Sequence, residues 1–186
     1  MNIFALDKSP EVSAEMACDK HVVKMILESA QMLCAVQRVQ DGELYYDKTA
    51  NGRKIKRWRH PDTMKEQVLY KAGWINHPST QWVMKSAYNY NWLYRMWSHL
   101  HDQFQLRYGK KHLSYTLLHE ALRNPPKNIP LNKPFTQPTQ AMPDDVKHED
   151  SITAYRNYYI HYKHSFAKWK NGMIPEWFSK GVANAN

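Results

Sequence analysis

Four residues near the start of the chain have the types and spacing that proton transfer needs: Lys20, His21, Lys24 and Glu28. At roughly 100° per residue they fall within an arc of about 100° on one helical face. A histidine between two lysines tends to be neutral near pH 7 and can accept a proton. Glu28, seven residues beyond His21, can orient that ring or pair with Lys24. The same spacing also describes a solvated face with an i,i+4 Lys24–Glu28 pair, worth only about 0.3 kcal/mol. A fifth candidate is His77, in Asn76-His77-Pro78-Ser79 ahead of a helix start. Backbone N–H groups at a helix start favour an anion, with His77 as second ligand or proton donor. The plainer alternative is a capping turn whose ring packs on a neighbour.

The histidines form no metal motif. His99 and His101 fall on different faces, and His161 and His164 lack a carboxylate at matching spacing. No HExxH, paired CxxC, Walker loop, GxGxxG or GxSxG occurs. The reading therefore includes no metal and no cofactor.

Charge points to the partner. The 186 residues carry a formal net charge of +9 with histidine neutral. Such an excess favours polyanions, here nucleic acid and double-stranded DNA in particular. A membrane is not expected, because no long apolar run occurs. The basic residues gather in a few places. Lys48 to His60 holds Arg53, Lys54, Lys56, Arg57 and Arg59; Lys110 and Lys111 follow a long helix. The C-terminal part interleaves Arg156, Lys163, Lys168 and Lys170 with aromatics, a pattern suited to phosphate contact with stacking. Asn76 completes the candidate nucleic-acid contacts.

These residues must be positioned by a mainly α, single compact helical domain spanning 1–186, with a short extended N-terminal segment and a long Pro-rich loop. Residues 2–6 form an apolar arm or strand. Ser9-Pro10-Glu11 starts a helix that the periodicity carries to about residue 39. Residues 40–62 read as a basic loop, either mobile and solvated or a phosphate-contacting arm. A short helix covers 63–73. A longer one starts at Ser79 and runs to about Arg107, its core stripe comprising Trp82, Ser86, Asn89, Tyr90, Leu93, Trp97, Leu100 and Phe104. Gly109 caps it. Residues 113–123 are helical, 124–150 form a Pro-rich connection anchored by Phe135, and helical spacing returns over 152–169. A short segment follows at 175–178, and residues 183–186 are expected to fray. Cys18 and Cys34, on one predicted helix, are about 24 Å apart, beyond disulfide reach. That and the lack of a signal-peptide pattern suggest a reduced cytoplasmic protein, or one of the host cytoplasm if phage-encoded.

The order of these features resembles the endonuclease V-type pyrimidine-dimer DNA glycosylases of phages and bacteria. The chain is also similar to uncharacterised phage proteins that share the CDKHVVKM segment. Met16 to Lys24 resembles the family's Arg-Glu-x-x-Arg helix, with Lys20 and Lys24 at the arginine positions and His21 at that of the catalytic glutamate. The Asn76-His77-Pro78 turn and the aromatic-basic C-terminal end are of the same character. The resemblance implies a compact helical DNA-repair enzyme whose nucleophile is a terminal amine, working through a Schiff base. Asn at position 2 departs from the small residue that favours removal of Met1. The expected function is thus a glycosylase- or nuclease-like enzyme of phage type using the Lys/His/Glu face. The alternatives are a non-catalytic nucleic-acid-binding accessory protein and an enzyme for a nucleotide or modified base.

Overall fold

The computed structural model describes residues 1–170 and 173–185. Its core is a pair of long helices, α2 (Asp19–Asp41) and α5 (Ala87–Tyr108). Ile26, Ala30 and Leu33 of α2 and Leu93, Trp97 and Leu100 of α5 are fully buried. The Trp97 indole N–H donates to the Ile26 carbonyl at 2.9 Å, giving its polar atom a partner inside the core. Around this pair lie α1 (Pro10–Glu15), α3 (Thr63–Val68), α4 (Pro78–Met84), α6 (Leu113–Leu122), α7 (Ser151–Tyr162) and α8 (Glu176–Ala185). No described helix is long and apolar enough to cross a membrane.

The mainly helical class stands, but several boundaries differ from expectation. The first predicted helix is two. Cys18 is extended (φ −69°, ψ 160°) and caps α2 without a side-chain bond. Buried Arg107 fastens the break, donating to the Glu15 carbonyl at 2.9 Å and the Ala17 carbonyl at 2.8 Å. The helix expected from Ser79 also divides. Ser86 is extended (φ −161°, ψ 157°), and its hydroxyl accepts from the Asn89 N–H to start α5. The predicted stripe nonetheless stays inside from Trp82 to Leu100, because α4 and α5 pack against the same core.

Residues 40–62 are not a loop. They form an antiparallel hairpin, β1 (Glu43–Lys48) and β2 (Lys54–Arg59). Leu44, Tyr45, Tyr46, Ile55 and Trp58 supply β-favouring side chains, and Asn51-Gly52 turns the chain with Gly52 at φ +79°. The charge density of the segment obscured these residues. Helix α3 stops at Val68, short of the predicted residue 73, and α7 stops at Tyr162 with Lys163 as cap. Phe166, Lys168 and Trp169 therefore lie past the helix that was expected to carry them. Conversely, residues 176–185 are one helix, where only a short segment and a frayed end were expected; residue 186 lies outside the described residues.

The Pro-rich connection has no regular structure apart from a 3-10 turn at Asp144–Val146. Phe135 anchors it, edge-on to Trp82 at 6.1 Å between centroids. The N-terminal residues are a buried arm: Ile3, Ala5 and Leu6 are almost wholly covered. Phe4 takes the left-handed region at φ 54°, an unfavourable conformation for a residue with a Cβ. The Ser13 hydroxyl holds this bend, donating to the Phe4 carbonyl at 3.3 Å and accepting from the Leu6 N–H at 2.8 Å.

Candidate active site

The N-terminal arm crosses the first turns of α2 and meets α7 and the Pro-rich connection. At this junction lies a cavity of about 450 Å³. Lys20, His21, Lys24 and Glu28 all line it, so the predicted helix face is brought together as one surface. Lys163, expected as a phosphate contact, joins them from the end of α7, as do Tyr158 and Phe166.

Met1 and Asn2 bring the polypeptide's first amine into this cavity. The Asn2 side chain fixes the arm: its amide donates to the Ala141 carbonyl at 2.8 Å, and its oxygen accepts from the Tyr155 hydroxyl at 2.7 Å. Asn2 is buried in consequence. Its backbone N–H then donates to Glu28 Oε2 at 3.2 Å, and the Met1 ammonium lies 3.8 Å from the same oxygen. Lys24 Nζ reaches the other carboxylate oxygen, Oε1, at 3.4 Å. Glu28 is therefore the carboxylate beside the chain's first amine, where the resemblance had put His21 at the family's glutamate position.

His21 is placed differently from a solvated base. It is 5% exposed, stacked on Phe4 with centroids 4.0 Å apart. Its Nδ1 lies 2.5 Å from the Tyr159 hydroxyl. Burial lowers its pKa to about 3, with Lys163 and Lys24 pushing the same way. The ring is neutral at physiological pH, as its position between lysines suggested. Burial also raises the pKa of Tyr159, which keeps its proton. The O–H can then donate to Nδ1, leaving the ring proton on Nε2. Sequence reasoning missed Phe4 and Tyr159 as partners of His21, because they lie 17 and 138 positions away. Only the apolar N-terminal run and the Tyr-rich C-terminal segment hinted at them.

His77 does not line the cavity. It caps α4, its Nδ1 accepting the Ser79 N–H at 3.2 Å. The ring itself thus takes an N–H that an anion was expected to use. Burial, then the N-terminal ammonium, lowers its pKa, while Glu28 raises it, so His77 senses the charges of the cavity without entering it.

The expected phosphate contacts divide. Lys110, Lys111, Lys168 and Lys170 are exposed beyond the start of α2, and Lys170 Nζ sits over the Tyr108 ring at 4.9 Å. Asn76 is exposed on the turn before α4, and Arg53, Lys54, Lys56 and Arg59 are exposed on the hairpin. Arg57 is half-buried. Arg156, expected to be exposed, is committed internally: its Nε donates to the Leu6 carbonyl at 2.9 Å, and Nη2 meets Asp7 Oδ2 at 3.4 Å. Cys18 and Cys34 are buried free thiols, and burial pushes Cys34 up to about 12, so neither is an activated nucleophile.

The arrangement is an amine, a carboxylate and three lysines around an aromatic-walled cavity on a helical scaffold. A family model for pyrimidine dimer DNA glycosylases matches residues 1–116, and the chain belongs to that family. Membership makes DNA its substrate class and DNA repair of the glycosylase type its function. The match takes in the arm, α2 and Glu28, whereas Ala141, Tyr158, Lys163 and Phe166 complete the cavity from beyond it. Neither the curated proteins nor the solved structures include a match to the chain.

Proposed function

We infer that the chain cleaves the glycosidic bond of a damaged pyrimidine in double-stranded DNA, using its first amine as nucleophile and Glu28 as the proton-handling carboxylate. One observation carries this reading: the Met1 ammonium and the Asn2 N–H both sit against Glu28 Oε2 in a basic cavity.

The chemistry follows from the groups present. Glu28 takes a proton from the ammonium, freeing its lone pair. The amine attacks C1′ of the deoxyribose, the C1′–N1 bond breaks, and its electron pair leaves with the base, which takes up a proton. Opening of the sugar ring gives an iminium between C1′ and the amine. Loss of a C2′ proton then expels the 3′ phosphate and cuts the strand. Water hydrolyses the iminium and restores the amine. Lys20, Lys24 and Lys163 hold the flanking phosphates by charge. Tyr158 and Phe166 wall the space for a displaced base, with Lys163 Nζ over the first ring at 4.3 Å and Lys20 Nζ over the second at 4.8 Å. His21, neutral down to about pH 3, serves as a wall and N–H donor rather than as the base.

The test is incubation with ultraviolet-irradiated and unirradiated duplexes. Strand breaks at pyrimidine dimers are expected in the first alone. Intact irradiated duplex at stoichiometric protein contradicts the reading.

A further inference from the structure

The β1–β2 hairpin has no part in the cavity, yet its two faces differ in charge and exposure. The register pairs Leu44 with Trp58, Tyr46 with Lys56 and Lys48 with Lys54, so these six side chains share one face. That face holds three lysines and no acid, and all but Trp58 are exposed. Leu44 and Tyr46 are 46% and 54% exposed, and Lys54 Nζ lies over the Tyr46 ring at 3.9 Å. The opposite face balances its two acids, Glu43 and Asp47, with Arg57 and Arg59, and is more covered: Tyr45, Ile55 and Arg57 are half-buried, and Tyr45 and Arg57 line a cleft with Trp58 and with Glu66 of α3.

The hairpin is also fixed relative to the cavity. Buried Arg38 donates to the Trp58 carbonyl at 2.9 Å, tying β2 to the last turns of α2. Arg38 lies eighteen residues past Lys20, about five full turns, so it projects from the same side of α2. Ten residues separate it from Glu28, about 15 Å along the helix, or some four to five base-pair steps.

We propose that the outer face of this hairpin grips duplex DNA four or more base pairs from the nucleotide held in the cavity. Lys48, Lys54 and Lys56 meet phosphates, and Tyr46 and Leu44 lie against the sugar edge. A two-stranded ribbon has the width to follow a groove. This rests on the proposed function only in taking duplex DNA as the ligand.

The experiment is a salt series of fluorescence anisotropy on an undamaged 30-base-pair duplex, with a hydroxyl-radical footprint on a damaged one. For Lys48→Ala/Lys54→Ala/Lys56→Ala the slope of log affinity against log salt should flatten by up to about 2.7. Affinity lost between 50 and 200 mM salt then becomes up to about 40-fold smaller than for the unaltered protein. Lys54→Ala alone should flatten the slope by about 0.9, and the triple arginine variant should restore it. Protection four or more base pairs from the lesion should vanish in the alanine variant. A folded variant with unchanged slope and footprint overturns the proposal. Altered slopes without any cleavage by the unaltered protein support the hairpin contact and count against the catalytic reading alone.

Discussion

The Asn2 backbone nitrogen and Glu28 Oε2 are 3.2 Å apart although 26 positions separate the two residues. The approach depends on burial of the Asn2 side chain between Tyr155 and Ala141, both outside the matched span of the chain. The arm is thus aimed at α2 by the C-terminal third.

Glu28→Gln should keep the shape of the cavity and remove its proton acceptor. Single-turnover base release is expected to fall by about 10²- to 10⁴-fold. DNA affinity should hold or rise, since one negative charge leaves a cationic cavity. Measuring the dissociation constant and the rate on the same damaged duplex separates the two effects.

Removing the anchor should act differently. Tyr155→Phe deletes a hydroxyl shared by Asn2 and the Thr139 carbonyl. Loss of these bonds should cost about 1–3 kcal/mol in urea unfolding. It should also slow base release while leaving the salt dependence of DNA binding unchanged, because no phosphate contact is touched.

His21 makes stability depend on acid. Folding holds its pKa at about 3, against an ordinary value of 6.5. Between those values the unfolded chain binds a proton that the folded one refuses, so stability falls as pH drops through that window. The slope due to this residue approaches ~1.4 kcal/mol per pH unit. Urea unfolding from pH 4 to 7 should therefore show a shallower pH dependence for His21→Gln than for the unaltered protein. Equal slopes would remove His21 as the source.

Helical class, the buried stripe and the convergence of Lys20, His21, Lys24 and Glu28 were legible in the sequence, because each rests on local periodicity. The roles within that cluster were not. His21 and Glu28 share a face, but only the long-range packing of Phe4, Tyr159 and Asn2 distinguishes a buried neutral ring from the carboxylate at the amine. The hairpin was hidden for another reason. Neither strand shows a clean period of two, since Leu44-Tyr45-Tyr46 is continuous and Ile55 and Trp58 fall on opposite faces, and the run of arginine and lysine reads as a solvated loop unless Asn51-Gly52 is given weight. The breaks at Cys18 and Ser86 interrupt continuous helical spacing, and tertiary clamps decide them.

Arg38 and Gly42 set the junction between α2 and the hairpin. The buried guanidinium bonds to the Trp58, Glu66, Leu69 and Tyr70 carbonyls. Arg38→Ala leaves those four carbonyls without this donor, while Glu66 keeps the His60 N–H, and should destabilise the fold by at least about 1–3 kcal/mol. At Gly42 a Cβ would come within 2.3 Å of the Arg38 carbonyl oxygen, so Gly42→Ala forces the backbone apart. Both variants should lower the thermal midpoint, whereas the exposed Lys54→Ala should not.

The first amine of the chain, held against Glu28, is the proposed nucleophile. Its direct measurement is borohydride trapping on a damaged duplex, followed by mass spectrometry of the intact protein and its peptides. A single covalent adduct is expected on the α-amine of the N-terminal peptide, abolished when that amine is blocked. An adduct on a lysine side chain, or base release with no trapped species, contradicts it.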